Sequence, residues 1–224
     1  MGHVYLDANV LIPSITRGLI MIGAQLEDYQ VVWSELSEEE AERHQLVGAA
    51  PISELRRRHG WAAPVATVVT GPTQDTQPGD APHLLTAATV GAKLIVTENV
   101  KDFGDKDLKK YDLSVVHPDV FLIAKLSNPS YLTILELLAE SRRREPNTAE
   151  QIHTVEVFDK LPRLAEYHAS SFSTSLAETH RSKPDRLFRG VRCVKCEREL
   201  AGPDQPGFKY GLDADCWAQT HLDQ

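Results

Sequence analysis

The sequence predicts an α/β protein, because short segments of strand character alternate with segments of helical periodicity up to about residue 116. The strand segments are rich in Val and Ile and are bounded by Gly, Pro, Asp or Asn, as is typical of strands buried on both faces. The segments between these strands are helices, and they are long enough to serve as crossover connections, which indicates a parallel sheet. The predicted strands are HVYL, QVVW, PVATVV, KLIVT and LSVV.

The helices predicted among these strands are RGLIMIGAQLEDY, SEEEAERHQLV, PISELRRRHGW and DAPHLLTAATVGA. Pro51 suits the first position of the third helix, and Gly91 suits the end of the fourth. From about Pro118 onward no strand is predicted, and successive helices separated by prolines follow. We therefore predict a body of residues 1–127, a helical extension of residues 128–182 that packs on it, a linker of residues 183–190 and a small module of residues 191–224.

Composition favours a globular chain: 42% of the 224 residues are hydrophobic and 25% are charged, which argues against global disorder and against a coiled coil. Apolar runs are too short to span a membrane, and the N-terminal segment does not have the pattern of a signal peptide. We expect a cytoplasmic protein with no membrane partner. The net charge is −8, and residues 1–180 carry 16 Lys and Arg against 25 Asp and Glu, so binding of nucleic acid would need local positive charge or bound cations.

Acids and amides follow the predicted strands. Asp7 ends the first strand, Asn99 and Asp102 follow KLIVT, and Asp80 begins the helix that leads into that strand. In an open α/β sheet the carboxyl ends of the strands face a crevice where ligands bind. Each residue alone could equally be a helix cap. Together, clustered carboxylates repel one another unless a cation lies among them.

Five segments in order, VYLDANVLIPS, TRGLIMIGAQL, VVWSELSEEEAER, GDAPHLLTAATVGAKLIVTENVKDF and VVHPDVFLIAKL, resemble a PIN-domain protein of the kind that includes VapC-like toxins. The likeness extends from residue 3 to about residue 160. It implies a three-layer fold around a central parallel sheet and a ribonuclease that hydrolyses phosphodiester bonds with a divalent metal ion.

The resemblance implies that Asp7, Glu40, Asp80 and Asp102 hold the metal and that Asn99 orients a ligand or water. Glu40 lies six residues after Ser34 of a WS pair, although it also fits a capping box begun by Ser37. Many PIN proteins carry an acid where this chain has Asn99. His83 is displaced by one place from the His of the family pattern, and we assign it no role.

Oxygen ligands with waters suit Mg²⁺ or Mn²⁺. The resemblance implies RNA as the substrate, products with 5′-phosphate ends, an antitoxin protein that covers the acidic cleft, and a homodimer. Two other functions stay open. A non-catalytic PIN-like module could bind RNA or a protein, and a nuclease directed at DNA would use the same site residues.

The C-terminal module carries Cys193 and Cys196 as a Cys-x2-Cys knuckle, followed by Cys216 and His221. Three cysteines and a histidine can close a tetrahedral zinc site, which a segment this short would need in order to fold. The pattern resembles a treble-clef zinc finger. His180 is an alternative fourth ligand, and three free thiols are the alternative to a zinc site.

Basic residues that could bind RNA lie in two places. Seven Lys or Arg residues fall within residues 181–198, among them Arg186, Arg189 and Arg192, and could contact phosphates, although such a run is also typical of a solvated linker. Arg17 stands where similar proteins have an Arg that could bind a phosphate through its planar fork, and an ordinary ion pair is equally plausible.

Overall fold

A computed structural model describes residues 2–173 and 186–222, with side chains up to Thr220. Within these residues, five strands form one sheet, so the predicted α/β class is confirmed. The strands are β1 (His3–Leu6), β2 (Gln30–Val32), β3 (Ala92–Val96), β4 (Ser114–Val116) and β5 (Phe188–Gly190). Their order is β2-β1-β3-β4-β5. The first four are parallel, and β5 pairs with β4 in the antiparallel direction.

The helices of the body are α1 (Ala8–Leu11), α2 (Ser14–Leu26), α3 (Glu35–His44), α4 (Ile52–His59), α5 (Ala81–Thr89), α6 (Asp105–Tyr111) and α7 (Pro118–Lys125). The later helices are α8 (Asn128–Glu140), α9 (Ala149–Gln151), α10 (Phe158–Lys160), α11 (Pro162–Tyr167) and α12 (Ala214–Leu222). A π-helical segment, Ile152–Val157, joins α9 to α10. None of the helices in the described part of the chain has both the length and the apolar character that crossing a bilayer requires.

Alternation along the strands separates the core into two halves. Val4 and Leu6 point to one face of the sheet, where they pack with the apolar sides of α2, α7 and α8. Tyr5 points to the other face and packs with residues of α5 and α6. Helices thus cover both faces, which is compatible with the predicted three-layer arrangement.

Two segments differ from the prediction. The segment PVATVV is not a strand of the sheet: Val65 forms only an isolated bridge with Ser34, and Val69 is exposed. Val65 exchanges backbone hydrogen bonds with Trp33 and Glu35 at 2.9 Å. The N–H of Val68 bonds Thr86 Oγ1, at 2.9 Å, in place of a neighbouring strand. Val65 and Val68 are only partly buried and Val69 is exposed, so the apolar run here is not a central strand.

The second difference concerns residues 183–190. Their assignment as a linker is wrong for residues 188–190, which form β5, and the expectation that strands cease after Pro118 is wrong for the same reason. Residues 183–185 and residue 182, the predicted end of the helical extension, lie outside the described part of the chain. Phe188, Cys193 and Leu200 belong to the same apolar cluster as Val4 and Leu6. The C-terminal module therefore packs against the edge of the body.

Candidate functional site

Asp7 lies at the carboxyl end of β1, with 4% of its surface exposed. Its Oδ1 atom accepts a hydrogen bond from the N–H of Ala8 at 2.6 Å, so the side chain also caps α1. Its Oδ2 atom accepts bonds from Thr97 Oγ1 at 2.6 Å and from Asn9 Nδ2 at 2.7 Å. Asn9 in turn bonds Thr97 Oγ1 at 2.9 Å and so joins the ends of β1 and β3. These donors fix the orientation of a buried carboxylate.

Glu40 reaches the same place from α3. The helix begins at Glu35 with Ser34 as its N-cap, whose side chain accepts from the N–H of Ser37 at 3.1 Å. The capping-box interpretation of Ser37 and Glu40 is therefore wrong, because Glu40 lies in the second turn of the helix. Its Oε2 atom lies 3.3 Å from Nε2 of His83.

His83 completes this group, although sequence reasoning assigned it no role. Its Nε2 atom lies 3.7 Å from Oδ1 of Asp7. Ligand atoms of Asp7, Glu40 and His83 all lie within 4.8 Å of one another, close enough to hold one metal ion. We call these three residues the acidic group. Helical spacing was the signal that could have found His83, since it lies three residues after Asp80 and returns to the same side of α5.

Asp80 and Asp102 lie beside the acidic group and are not part of its compact set of ligand atoms. Burial of Asp80, together with the negative charges of Asp7, Asp102 and Glu40, raises the pKa of its carboxyl to about 6, against a smaller opposing effect of His83. A raised pKa with charged neighbours is typical of functional carboxylates. Of the predicted acids, the structure thus brings ligand atoms of Asp7 and Glu40 within 4.8 Å of each other. Asp80 and Asp102 lie close enough to interact with them electrostatically.

Asn99 enters this network through its backbone, whose N–H donates to Thr97 Oγ1 at 3.0 Å. Thr97, which follows β3, also donates to Asp7 and so connects the two predicted positions, Asp7 and Asn99. Thr97 and Asn9 are positioning residues that the sequence analysis did not include.

The loop before α5 is held by Asp107 of α6. The buried Asp107 carboxylate accepts hydrogen bonds from three consecutive backbone N–H groups, at residues 74–76, over 2.8 to 3.0 Å. Burial would raise the pKa of Asp107, but these hydrogen bonds outweigh it and lower the pKa to about 2. The next residue, Gln77, donates from Nε2 to Asp102 Oδ1 at 2.6 Å. Asp107 thereby places both Gln77 and the start of α5 at Asp80.

A second group of potential ligands lies in the C-terminal module. Cys193, Cys196, Asp213 and Cys216 each offer one atom, and these atoms all lie within 4.8 Å of one another. We call these four residues the cysteine group. Oδ2 of Asp213 lies 2.8 Å from the sulfur of Cys196, while its Oδ1 accepts from the N–H of Cys216 at 2.8 Å. Burial raises the pKa of the Cys193 and Cys216 thiols, so they would ionise at neutral pH only beside a cation.

Three sulfur atoms and one carboxylate oxygen in this arrangement suit a tetrahedral zinc ion. The fourth donor that the structure supplies is Asp213, which sequence reasoning missed. The side chain of His221, the predicted fourth ligand, and the whole of His180 lie outside the described part of the chain. The signal that could have found Asp213 is its spacing, three residues before Cys216 at the start of a helix.

The predicted RNA-binding arginines have different environments. Arg17 is buried and donates to the carbonyl groups of Leu11 and Ile12. Arg189 forms two bonds with Asp105, at 2.7 and 2.8 Å, and Arg192 forms two with Asp112 at the same distances. These three side chains are thus engaged within the molecule.

Arg186 is exposed and lines a groove of about 690 Å³ beside β5. Lys109, Arg163 and Lys209 line the same groove, and Asp105 is the acid among its lining residues. Among the predicted arginines, Arg186 therefore has the environment best suited to a phosphate group.

Comparison of the chain with protein-family models, with curated proteins and with solved structures gives no match. Functional inference therefore depends on the arrangement of the side chains themselves.

Proposed function

We propose that this protein is a metal-dependent endoribonuclease with a PIN-like fold, of the VapC-like toxin kind. The observation that carries the proposal is the convergence of Asp7, Glu40 and His83, from three separate elements, at the carboxyl end of the parallel sheet. Ligand-binding sites of open α/β sheets lie at this end. Asp7 and Glu40 would hold the metal, and Asp80 and Asp102 would add negative charge beside it.

The residues present fit a divalent ion. Asp7 is almost fully buried, and the raised pKa of Asp80 reflects both its burial and the negative charges around it. A bound cation offsets that repulsion. When bound, Mg²⁺ or Mn²⁺ would make a water molecule more acidic and would neutralise charge on the phosphate.

The protein's own side chains orient the ligand groups and attract the cation. Asp7 is held in one orientation by Ala8, Thr97 and Asn9. Glu40 has a partly exposed side chain, so it can contact both the ion and solvent. Asp80 and Asp102 add negative charge beside the acidic group, which strengthens the attraction for a cation. Gln77 keeps one oxygen of Asp102 in place.

An RNA chain also needs positive charge on this acidic protein. The groove beside β5, with Arg186 and four other cations among its lining residues, supplies it. One of its lining residues, Arg189, also donates to the carbonyl of Lys101, the neighbour of Asp102, at 3.0 Å. A zinc ion in the cysteine group would stabilise the module that forms one side of this groove. The antitoxin partner and the homodimer are part of the proposal through the resemblance alone, and the cytoplasmic location through the sequence pattern.

The test is cleavage of RNA by the parent protein and by Asp7→Asn, in Mg²⁺ and in Mn²⁺. Asp28→Asn is the matched control, since Asp28 is exposed between α2 and β2. We expect a loss of at least about 100-fold for Asp7→Asn, because one ligand charge is removed from the ion. Asp28→Asn should retain the parent activity. A DNA strand of the same sequence distinguishes a nuclease directed at DNA. Equal cleavage by Asp7→Asn and the parent would overturn the proposal.

A non-catalytic RNA-binding module is the second candidate, and the amide of Asn99 favours it because it reduces the acidic set. It predicts RNA binding without cleavage, unaffected by EDTA and weakened by Arg186→Ser. An RNA that remains intact in Mn²⁺ while bound to the protein would favour this candidate over the nuclease.

A further inference from the structure

The two nitrogen atoms of the buried His83 ring face different kinds of group, hydroxyls on one side and carboxylates on the other. On one side, Nδ1 lies 3.1 Å from the hydroxyl of Tyr5 and 3.3 Å from the hydroxyl of Ser37. On the other side, Nε2 faces Glu40 at 3.3 Å and Asp7 at 3.7 Å. The ring and its hydroxyl partners are almost completely buried, so the protein fixes which nitrogen faces the carboxylates.

The hydroxyl of Tyr5 offers an acceptor for a hydrogen on Nδ1 of His83. A phenol has one hydrogen to donate, and Tyr5 donates it to Oγ of Ser34 at 2.7 Å. The oxygen of Tyr5 is then free to accept a hydrogen bond from Nδ1 of His83, which lies 3.1 Å away. In a neutral imidazole only one nitrogen carries hydrogen, so in the tautomer with hydrogen on Nδ1, Nε2 presents a lone pair to the two carboxylates.

A lone pair directed at two carboxylate oxygens is repulsive unless positive charge lies between them. Histidines that bind metals through one nitrogen usually donate the other N–H to a fixed partner, which sets the tautomer and the ring orientation. Tyr5, with Ser34 behind it, supplies that partner here. The surroundings of His83 are thus those of a metal-binding histidine.

We propose that Nε2 of His83 is a nitrogen ligand of the divalent ion held by Asp7 and Glu40, and that this ligand makes the site prefer Mn²⁺ to Mg²⁺. The proposal rests on the metal site of the proposed function. Mg²⁺ is bound almost entirely through oxygen, whereas imidazole binds transition metals well and Mn²⁺ accepts both donors. An all-carboxylate site would lack this preference.

The experiment measures metal binding without RNA. The full chain, with zinc in its cysteine group, is titrated with MnCl2 and with MgCl2 in calorimetry. We expect His83→Gln to weaken Mn²⁺ binding by about ten-fold or more and Mg²⁺ binding by less than about two-fold. His44→Gln is the matched control, because His44 is exposed at the end of the same helix that carries Glu40. It should bind both ions as the parent does.

Pulsed electron paramagnetic resonance of Mn²⁺ on the parent protein gives a second readout, which decides the matter even if His83→Gln does not fold. A ¹⁴N coupling from a bound imidazole is expected in the parent and in His44→Gln. Absence of that coupling in the parent, or equal Mn²⁺ affinity with and without His83, would overturn the proposal.

These outcomes separate the two proposals. RNA cleavage without a ¹⁴N coupling would leave the nuclease intact and remove His83 as a ligand. A ¹⁴N coupling without any cleavage would leave the metal site intact and remove the nuclease.

Discussion

The acidic group and the cysteine group are both candidate metal centres, and they are assembled in opposite ways. The acidic group draws Asp7, Glu40 and His83 from β1, α3 and α5, so it exists only when the sheet and two helices have formed. The cysteine group draws all its members from residues 193–216. The body therefore forms its site by folding, whereas a metal ion in the cysteine group would help to fold the module.

This difference sets the expected cost of removing a ligand. Loss of a ligand from the acidic group should reduce function and leave the fold intact, because Asp7 sits on a sheet that packs on both faces. Loss of a cysteine should unfold the module, since Cys193 and Cys216 are themselves buried in the apolar cluster.

The largest effect is expected for Cys216→Ser. Structural zinc contributes much of the folding free energy of small zinc modules, so we expect zinc content to fall from about one equivalent per chain to nearly none. The midpoint of thermal unfolding should also fall by more than about 5 °C. Glu199→Ser, an exposed substitution in the same module, is the control. Unchanged zinc content in Cys216→Ser would show that Cys216 is not a ligand, and a parent protein without zinc would show that the cysteines are free thiols.

The fourth ligand of the cysteine group is tested by Asp213→Asn beside His221→Gln. Because Asp213 lies among the three sulfur atoms, we expect its amide to weaken zinc affinity by about 10- to 100-fold, measured by competition with a chelator. His221→Gln should leave the affinity within about two-fold of the parent. The reverse result would restore the ligand set predicted from the sequence.

The support beneath the acidic group is tested by Asp107→Asn. An amide would place a donor against the backbone N–H groups of residues 74–76, so we expect the free energy of unfolding in urea to fall by about 3 kcal/mol at neutral pH. Asp204→Asn, an exposed control, should change it little.

The same carboxylate predicts a pH dependence. Its pKa is about 2 in the folded protein, below its usual value of 3.8. Its stabilisation is therefore fully present above about pH 4 and is lost as the pH falls towards 2. The parent should lose more stability over this range than Asp107→Asn does. Parallel pH profiles of the two proteins would contradict the assignment.

The smallest effect is expected for Gln77→Ala, which removes the hydrogen bond to Asp102. Because Asp102 keeps its charge and loses only a fixed orientation, we expect RNA cleavage to fall by about three- to ten-fold with unchanged stability. Gln74→Ala is a matched control, since the backbone N–H of Gln74 makes the contact with Asp107. Equal cleavage by the two variants would remove Gln77 from the site.

Much of the fold could be predicted because β1, β3 and β4 lie in short apolar runs, a pattern that neighbouring residues define by themselves. PVATVV is also rich in valine and is no strand of the sheet, because Val65 forms only an isolated bridge with Ser34 and the N–H of Val68 bonds the side chain of Thr86. β5 could not be predicted, because three residues that include Arg189 carry no strand pattern and pair only through the folded body.

In the candidate sites too, residues that are brought together only by the fold could not be predicted from local sequence patterns. Cysteine spacing within one short segment indicates a metal group directly, whereas Asp213 looks like an ordinary helix cap until the fold places it beside Cys196. Asp7 was predicted from its place at the end of the first strand, whereas Glu40 was predicted only through the resemblance. The one local signal for His83 is its helical spacing from Asp80, because its partners, Tyr5 and Ser37, are distant in sequence.

Anomalous diffraction from crystals soaked in MnCl2 tests the central claim most directly. The account predicts one strong peak among Asp7, Glu40 and His83, at about 2.0 to 2.4 Å from a carboxylate oxygen of each acid and from Nε2 of the histidine. A peak bound by Asp80 and Asp102 alone, or no peak at the carboxyl end of β1, would contradict it.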